Sequence, residues 1–151
     1  MNNFVLRKAR PSDANAIAEI ARCSRKHFLP YLPELHTLDE DKDKAFFRTV
    51  VFKDNDVWVA EDENDIVGFC AFSEAWLNHL YFLPSHVGKK LGQRLLTIAK
   101  EAYPHLQLWT FQKNARAISF YERQGFIRAR DTDGYDNEER VADALFEWRR
   151  L

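Results

Sequence analysis

Residues 76–96 read W-L-N-H-L-Y-F-L-P-S-H-V-G-K-K-L-G-Q-R-L-L. From Trp76 to Leu83 the run is apolar and aromatic, with only Asn78 and His79 between, which predicts a strand. Pro84 and Ser85 interrupt it. Leu91, Leu95, Ile98 and Ala102 then recur at three- and four-residue spacing, predicting a helix from Gly88 to about Tyr103, stopped by Pro104. A strand that feeds a glycine-bearing loop and then a helix start is an anion site in principle. The free N–H groups of the first turn point outward, and the helix dipole adds partial positive charge. Lys89 and Lys90 would reinforce it, and a phosphate-bearing ligand is the natural guest. The same residues also describe an ordinary tight turn with a solvated lysine pair. The stretch is neither a Walker loop nor a dinucleotide fingerprint.

The surrounding chain sets the frame. Its 151 residues contain no Gly/Pro-rich linker, which predicts one domain, 1–151, with a substantial core. An apolar fraction of 46%, with 14% aromatic residues, argues for a packed globule rather than a disordered chain. A formal charge of -1 provides no global field favouring nucleic acid or an anionic membrane. Cys23 and Cys70 lack metal-ligand spacing and read as reduced, buried thiols, so no metal is expected. No run reaches membrane-spanning length and the N-terminus has no signal-like apolar core, so the expectation is a cytoplasmic protein.

Taken in order, Phe4 to Ala9 reads as a strand, and Pro11-Ser12-Asp13 opens a helix with Ser12 or Asp13 as its cap. Ala14, Ile17, Ile20 and Ala21 form that helix's apolar stripe. His27 to Leu38 carries Pro30 and Pro33 and is expected to be a loop or broken helix, rich in aromatic side chains at Phe28, Tyr31 and His36. It reads as a lid packed on the core, a substrate contact, or both. Asp39 to Val51 is a second helix, with Phe46, Phe47, Val50 and Val51 apolar. Val57 to Ala60 and Ile66 to Phe72 form a hairpin around a polar turn, followed by the strand at Trp76. After the long helix come a strand at Leu106 to Phe111, a helix at Asn114 to Gln124 capped by Gly125, and strands at Phe126 to Arg130 and Ala144 to Trp148. The order β-α-α-β-β-β-α-β-α-β-β predicts an α/β or α+β sheet of mixed strand direction.

A second block, Thr110 to Phe126, reads T-F-Q-K-N-A-R-A-I-S-F-Y-E-R-Q-G-F. Asn114 and Tyr121 are two helical turns apart and share nearly one face. Each alone reads as an N-cap or a packed aromatic. Together with the glycine loop, they make the chain resemble the GNAT superfamily of N-acetyltransferases, over its whole element order and most strongly from Leu80 to Phe126. In that family a strand–loop–helix of the form (Arg/Gln)-x-x-Gly-x-(Gly/Ala) holds the pyrophosphate of coenzyme A. The matching window here is Val87 to Gly92. The family's Asn…Phe-Tyr-x-x-x-Gly-Phe is matched by Asn114, Phe120, Tyr121, Gly125 and Phe126. Val87 stands where Arg or Gln is usual, and Lys90 where the first glycine is usual. Backbone N–H groups can bind pyrophosphate without either side chain, and Lys90 fits if its φ is negative.

The resemblance implies a mostly antiparallel mixed sheet with a splayed strand pair, flanked by about four helices. It implies transfer of an acetyl group from acetyl-CoA to an amine by direct attack, with no nucleophilic Ser or Cys. Leu80, Tyr81 and Phe82 are then expected along the pantetheine arm. Val87, Gly88, Lys89, Lys90, Leu91 and Gly92 are expected on the pyrophosphate, and Asn114 on the arm or nearby backbone. Tyr121 is the candidate general acid, since an unperturbed phenol is protonated at neutral pH. For the base, Glu74 and His79 both stand as candidates. Glu74 reads equally as a solvated turn carboxylate and His79 as a half-buried imidazole. A regular strand puts Glu74, Trp76 and Asn78 on one face and His79 on the other, and a bulge would shift that parity. Water is a third route for the proton.

Phe28, Tyr31, Trp76 and Trp109 are candidates for the acceptor site, with Glu34, Glu138, Glu139 and Asp143 attracting a cationic amine or simply forming a charged loop. The expected acceptor is a small-molecule primary amine. A protein N-terminus or lysine is the alternative acceptor, and a non-catalytic CoA-binding module the alternative class. No nucleic-acid or membrane partner is expected, and the aromatic strands are compatible with a homodimer.

Overall fold

A computed structural model describes residues 4–32 and 40–151. Seven strands form one sheet: β1 (Val5–Lys8), β2 (Asp56–Asp62), β3 (Asp65–Ser73), β4 (Trp76–Phe82), β5 (His105–Phe111), β6 (Ile127–Asp131) and β7 (Asp143–Arg149). Their spatial order is β1-β2-β3-β4-β5-β7-β6. All neighbours are antiparallel except β4 and β5, which are parallel and meet at one residue pair, Trp76 with Gln107. The helices are α1 (Ala14–Phe28), α2 (Glu40–Phe46), the single turn α3 (Phe52–Asp54), α4 (Leu91–Ala102) and α5 (Ala115–Arg123). This is the mixed, mostly antiparallel sheet with a splayed pair that the family resemblance implies.

Strand alternation splits the interior in two. Val57, Val59, Phe69 and Ala71 face Ile17, Ala18, Ile20 and Ala21 of α1, together with Phe47 and Val51. On the opposite face Ala60, Cys70, Phe72, Leu106, Leu108 and Phe146 meet Leu91, Leu95, Leu96 and Ala99 of α4. β3 is therefore buried on both sides, which explains its near-continuous apolar run, Val67 to Phe72. At the sheet's edge, β6 is exposed at every position.

Several local expectations are corrected. Asp13 does not cap α1 with its side chain. Its carboxylate instead accepts the Arg10 N–H at 2.7 Å and both terminal nitrogens of Arg7 at 2.8 and 3.0 Å. The Arg7 guanidinium holds the Asp13 carboxyl below the usual carboxylate range. Helix α1 runs through His27 and Phe28 and ends at Leu29, one residue ahead of the ring at Pro30 that cannot continue it. Pro33, Glu34, His36 and Asp39 lie outside the described residues. After α2 the chain widens into a π turn, Phe47–Val51. Phe47 and Val51 are buried there, while Phe46 and Val50 are exposed, so only half of that apolar set faces the sheet. Helix α4 begins at Leu91 rather than Gly88, and Ala102 is exposed at its end, with Leu96 and Ala99 completing the buried stripe. Cys70 is buried and Cys23 only partly so.

Leu95 has no exposed surface and joins α4 to the sheet. Leu95→Ala is expected to cost about 2–5 kcal/mol of unfolding free energy, measured by urea denaturation.

Candidate functional site

The site begins where the sheet comes apart. β3 and β4 slip register between Ala71 and Phe72: Ala71 faces His79, whereas Phe72 faces Leu77, leaving Asn78 as the extra residue of a bulge. The Asn78 amide donates to Asn55 Oδ1 at 2.7 Å and to Ser73 Oγ at 3.2 Å, holding the bulged residue from outside. The bulge shifts side-chain parity. Leu77, Leu80 and Phe82 pack with the α4 core, whereas Tyr81 packs with the α1 core and His79 stacks against that core's Phe47 and Phe69. It also bends β4 away from β5 beyond the Trp76–Gln107 pair, where Gln107 N–H reaches Ala75 O at 2.7 Å. Between the parted strands lies a cleft of about 590 Å³.

The loop that closes one end of the cleft is fixed by short bonds. Leu83 N–H donates to Val67 O at 2.9 Å, and a 3-10 turn spans Pro84–His86. His86 lines the cleft and ties the loop to the β2–β3 hairpin, with Nε2 at 3.0 Å from Asp62 Oδ2 and Nδ1 at 2.9 Å from Ser85 Oγ. Gly88 has φ +81, a left-handed conformation natural to glycine, with open space where a Cβ would be. Lys90 corrects an expectation: its φ is +62, not negative, and it forms the N-cap of α4. The N–H groups of the first α4 turn have no carbonyl one turn before them in the helix. A Cβ at Gly92 would meet Phe82 and Phe120 at 3.3 Å, so this glycine lets α4 approach α5 and β4 closely.

Helix α5 supplies the other wall. Asn114 caps it, with Oδ1 accepting the Ala117 N–H at 3.3 Å. Gly125, at φ +92, turns the chain out so that Phe126 N–H reaches Tyr121 O at 3.0 Å and Phe126 enters the core. Tyr121 packs against Phe120 and Phe126, with ring centroids 5.3 and 5.6 Å away. Burial, with a smaller push from Tyr81 and a partial offset from Arg116, raises the Tyr121 phenol well above its usual range. It stays protonated.

The cleft brings together most of the residues singled out above: Phe28, His79, Leu80, Tyr81, Phe82, Val87, Gly88, Lys90, Leu91, Gly92, Trp109, Asn114, Tyr121, Glu139 and Asp143. Five of the described candidates lie outside its lining. Glu74 is exposed in the β3–β4 turn, and Trp76 pairs with Ser73 and Gln107 where the strands are still joined. Both belong to the closed end of the sheet. Lys89 sits in the loop but is not part of the cleft lining. Tyr31 lies edge-on to Phe111 at 6.4 Å, beneath the Lys113 ammonium at 5.5 Å. Glu138 is also outside it. Among the lining residues not foreseen, His86 and Arg116 stand out. His86 needs Asp62, far off in sequence, to reveal its role. Arg116 lies over the Phe28 ring at 3.8 Å and the Phe82 ring at 5.4 Å, and burial lowers its pKa. Among the described residues no group of three His, Cys, Asp or Glu could hold a metal, and no helix is long and apolar enough to cross a membrane.

Comparison with known proteins gives three findings. The sequence profile of the acetyltransferase (GNAT) domain matches residues 53–128. A stretch of 70 residues is 36% identical to the peptidyl-lysine N-acetyltransferase YiaC of Escherichia coli, covering 46% of this chain and 48% of that protein, so the match spans about half of the relative. Among solved structures, apo YjaB from Escherichia coli superposes with a TM-score of 0.82 at 22% identity over 99% of both chains. The PaiA N-acetyltransferase of Thermoplasma acidophilum, in complex with coenzyme A, superposes with a TM-score of 0.70 at 22% identity, covering 97% of this chain and 99% of that one.

Two predictions follow from the geometry. A non-glycine residue in the left-handed region is strained, so Lys90→Gly is expected to stabilise the fold by up to about 1 kcal/mol in denaturant titration. Burial, reinforced by Arg25, lowers the His79 pKa to about 4, against 6.5 for a free imidazole. Between those two values the unfolded chain binds the extra proton, so stability falls as pH drops from 6.5 to 4. Thermal melts over that range are expected to show a shallower slope for His79→Phe than for wild type.

Proposed function

The chain belongs to the GNAT acetyltransferase family, and on that premise we propose that residues 1–151 act as one domain transferring an acetyl group from acetyl-CoA to a primary amine. The observation that carries this reading is that the α4 N-terminal loop, Asn114, Tyr121 and the parted edge of β4 all line one cleft. Support for coenzyme A as the ligand comes from the fit of that cleft. Gly88 leaves open space beside the backbone, and the first-turn N–H groups and Lys90 suit a diphosphate. Leu80, Tyr81 and Phe82 lie on the part of β4 that β5 has left, so their main-chain groups are available to an extended amide-bearing arm. Acetyl-CoA supplies the activated acyl carbon and a thiolate leaving group.

The chain's own residues then divide the remaining work. Tyr121 holds a proton at Oη and offers it to the departing sulfur. Asn114 fixes the start of α5, and so the direction in which Tyr121 points. Glu74 lies in the exposed β3–β4 turn outside the cleft lining, and a His79 with a pKa of about 4 is a weak base. The amine therefore loses its proton to water, and the enzyme's part is to hold the neutral amine beside the acyl carbon.

A small acceptor is favoured by Phe28 and Arg116, whose stacked side chains narrow the cleft. Peptidyl-lysine is the second reading, favoured by the name of the partial relative from Escherichia coli.

Acetyl-CoA is expected to raise the melting temperature by several degrees. Thiol release is then measured against small amines and lysine peptides in parallel. Tyr121→Phe is expected to lower kcat about 10²-fold or more with little change in the KM for acetyl-CoA. No thermal shift with acetyl-CoA would overturn the reading, and release with peptides alone would replace the small acceptor by the second reading.

A further inference from the structure

His79 stands one residue past the bulge, where β4 leaves β5, and it lines the cleft. Aromatic rings wall its imidazole: Phe47 at 5.5 Å, Tyr81 at 6.1 Å, and Phe46 and Phe69 at 6.4 Å between centroids. Among the described residues its Nδ1 is buried without a hydrogen-bond partner. That burial selects a tautomer. A proton on Nδ1 would be a donor sealed among carbon atoms, whereas a proton on Nε2 leaves only a bare lone pair in the aromatic wall. The second arrangement leaves the N–H on the other nitrogen of a ring that lines the cleft, free to be received by water or a ligand there.

We propose that His79 presents a neutral Nε2–H as a hydrogen-bond donor to a carbonyl or carboxylate oxygen of the bound ligand, and is not the base that takes the amine's proton. The proposal rests on the acetyltransferase reading of the cleft. A histidine held neutral by its surroundings is suited to polarise an oxygen rather than to accept a proton. Burial and the Arg25 charge keep it neutral across the physiological range. The charged groups sharing the cleft with it are Arg25 on α1, Arg116 and Arg123 on α5, Lys90 ahead of α4, and Glu139 and Asp143 near the start of β7. The oxygen has two sources with the same chemistry, the acyl carbonyl of the donor and a carbonyl or carboxylate on the acceptor.

The test combines spectroscopy with two variants. In ¹⁵N-histidine-labelled protein, two-bond ¹H–¹⁵N correlations are expected to put the proton on Nε2 and to stay unchanged from about pH 5.5 to pH 8. His79→Gln, which keeps an N–H near the Nε2 position, is expected to retain kcat/KM within about threefold. His79→Phe, which keeps the wall and removes the donor, is expected to lose about 10–100-fold. The shape of the pH profile is expected to be the same in all three proteins. A loss in kcat at saturating amine assigns the acyl oxygen, and a rise confined to the KM for the amine assigns the acceptor's oxygen. A proton on Nδ1, a titration near neutrality, wild-type kcat/KM in His79→Phe, or an acid limb lost in both variants overturns the proposal. A wild-type chain that binds no acetyl-CoA sinks the acetyltransferase reading instead. A proton on Nδ1 in a chain that does bind it sinks the His79 assignment alone.

Discussion

One extra residue in β4 sets the geometry of the rest. With Asn78 bulged, β4 keeps its full ladder to β3 yet turns from β5 after the single Trp76–Gln107 pair. A ladder of parallel hydrogen bonds is given up there, and those main-chain groups of Leu77 to Phe82 that do not point to β3 are left facing a cavity. Such groups are costly to bury unpaired, so the gap is stable because it is open to water or to a polar ligand. The same residue shift carries Leu77 into the α4 core and sends His79 across to the other face. One backbone irregularity thus decides both where the cleft is and which side chains line it.

The cleft is rich in conformations and burials that the rest of the molecule must support. Lys90 is held in the left-handed region, the Tyr121 phenol is desolvated, and the His79 Nδ1 has no partner. The strain at Lys90 costs about 1 kcal/mol and the unpaired nitrogen on the order of 1–3 kcal/mol. The compensation is visible on either side of it, in the doubly buried β3 and the apolar faces of α1 and α4. Lys100 adds a further support. Its ammonium donates to Gln124 O over the faces of Phe126 and Trp148, fixing the C-terminal end of α5 on the sheet.

Much of this was legible in the sequence because it is local. The apolar run at 66–72, the helix spacing at Leu91 and Leu95, the cap at Asn114 and the stop at Gly125 are set by neighbours within a turn or a strand. The two motif blocks sufficed to suggest the family. What escaped was set by contacts far apart in the chain. Asn78 gives no sign that it bulges, because its partners Asn55 and Ser73 come from elsewhere. That Glu74 sits in an exposed turn outside the cleft lining follows from where the strands part, which its neighbours in sequence do not mark. His79 offers an ordinary imidazole in sequence, and only the surrounding rings reveal its altered acidity. Lys90 breaks the rule that left-handed positions go to glycine, and Arg116 becomes notable only when Phe28 is found beneath it.

The outermost strand has a consequence for how molecules of this protein meet one another. β6 ends the sheet with a row of main-chain groups that no further strand among the described residues covers. Such a row can template cross-strand growth into oligomers or fibrils. Here it is guarded. Arg128 and Asp131 are paired across its outer surface, Arg130 lies over the Trp109 ring, and a register slip falls between Arg128 and Arg130. Any incoming strand would have to strip water from two guanidinium groups and follow a kinked edge, so the sheet is terminated chemically as well as geometrically.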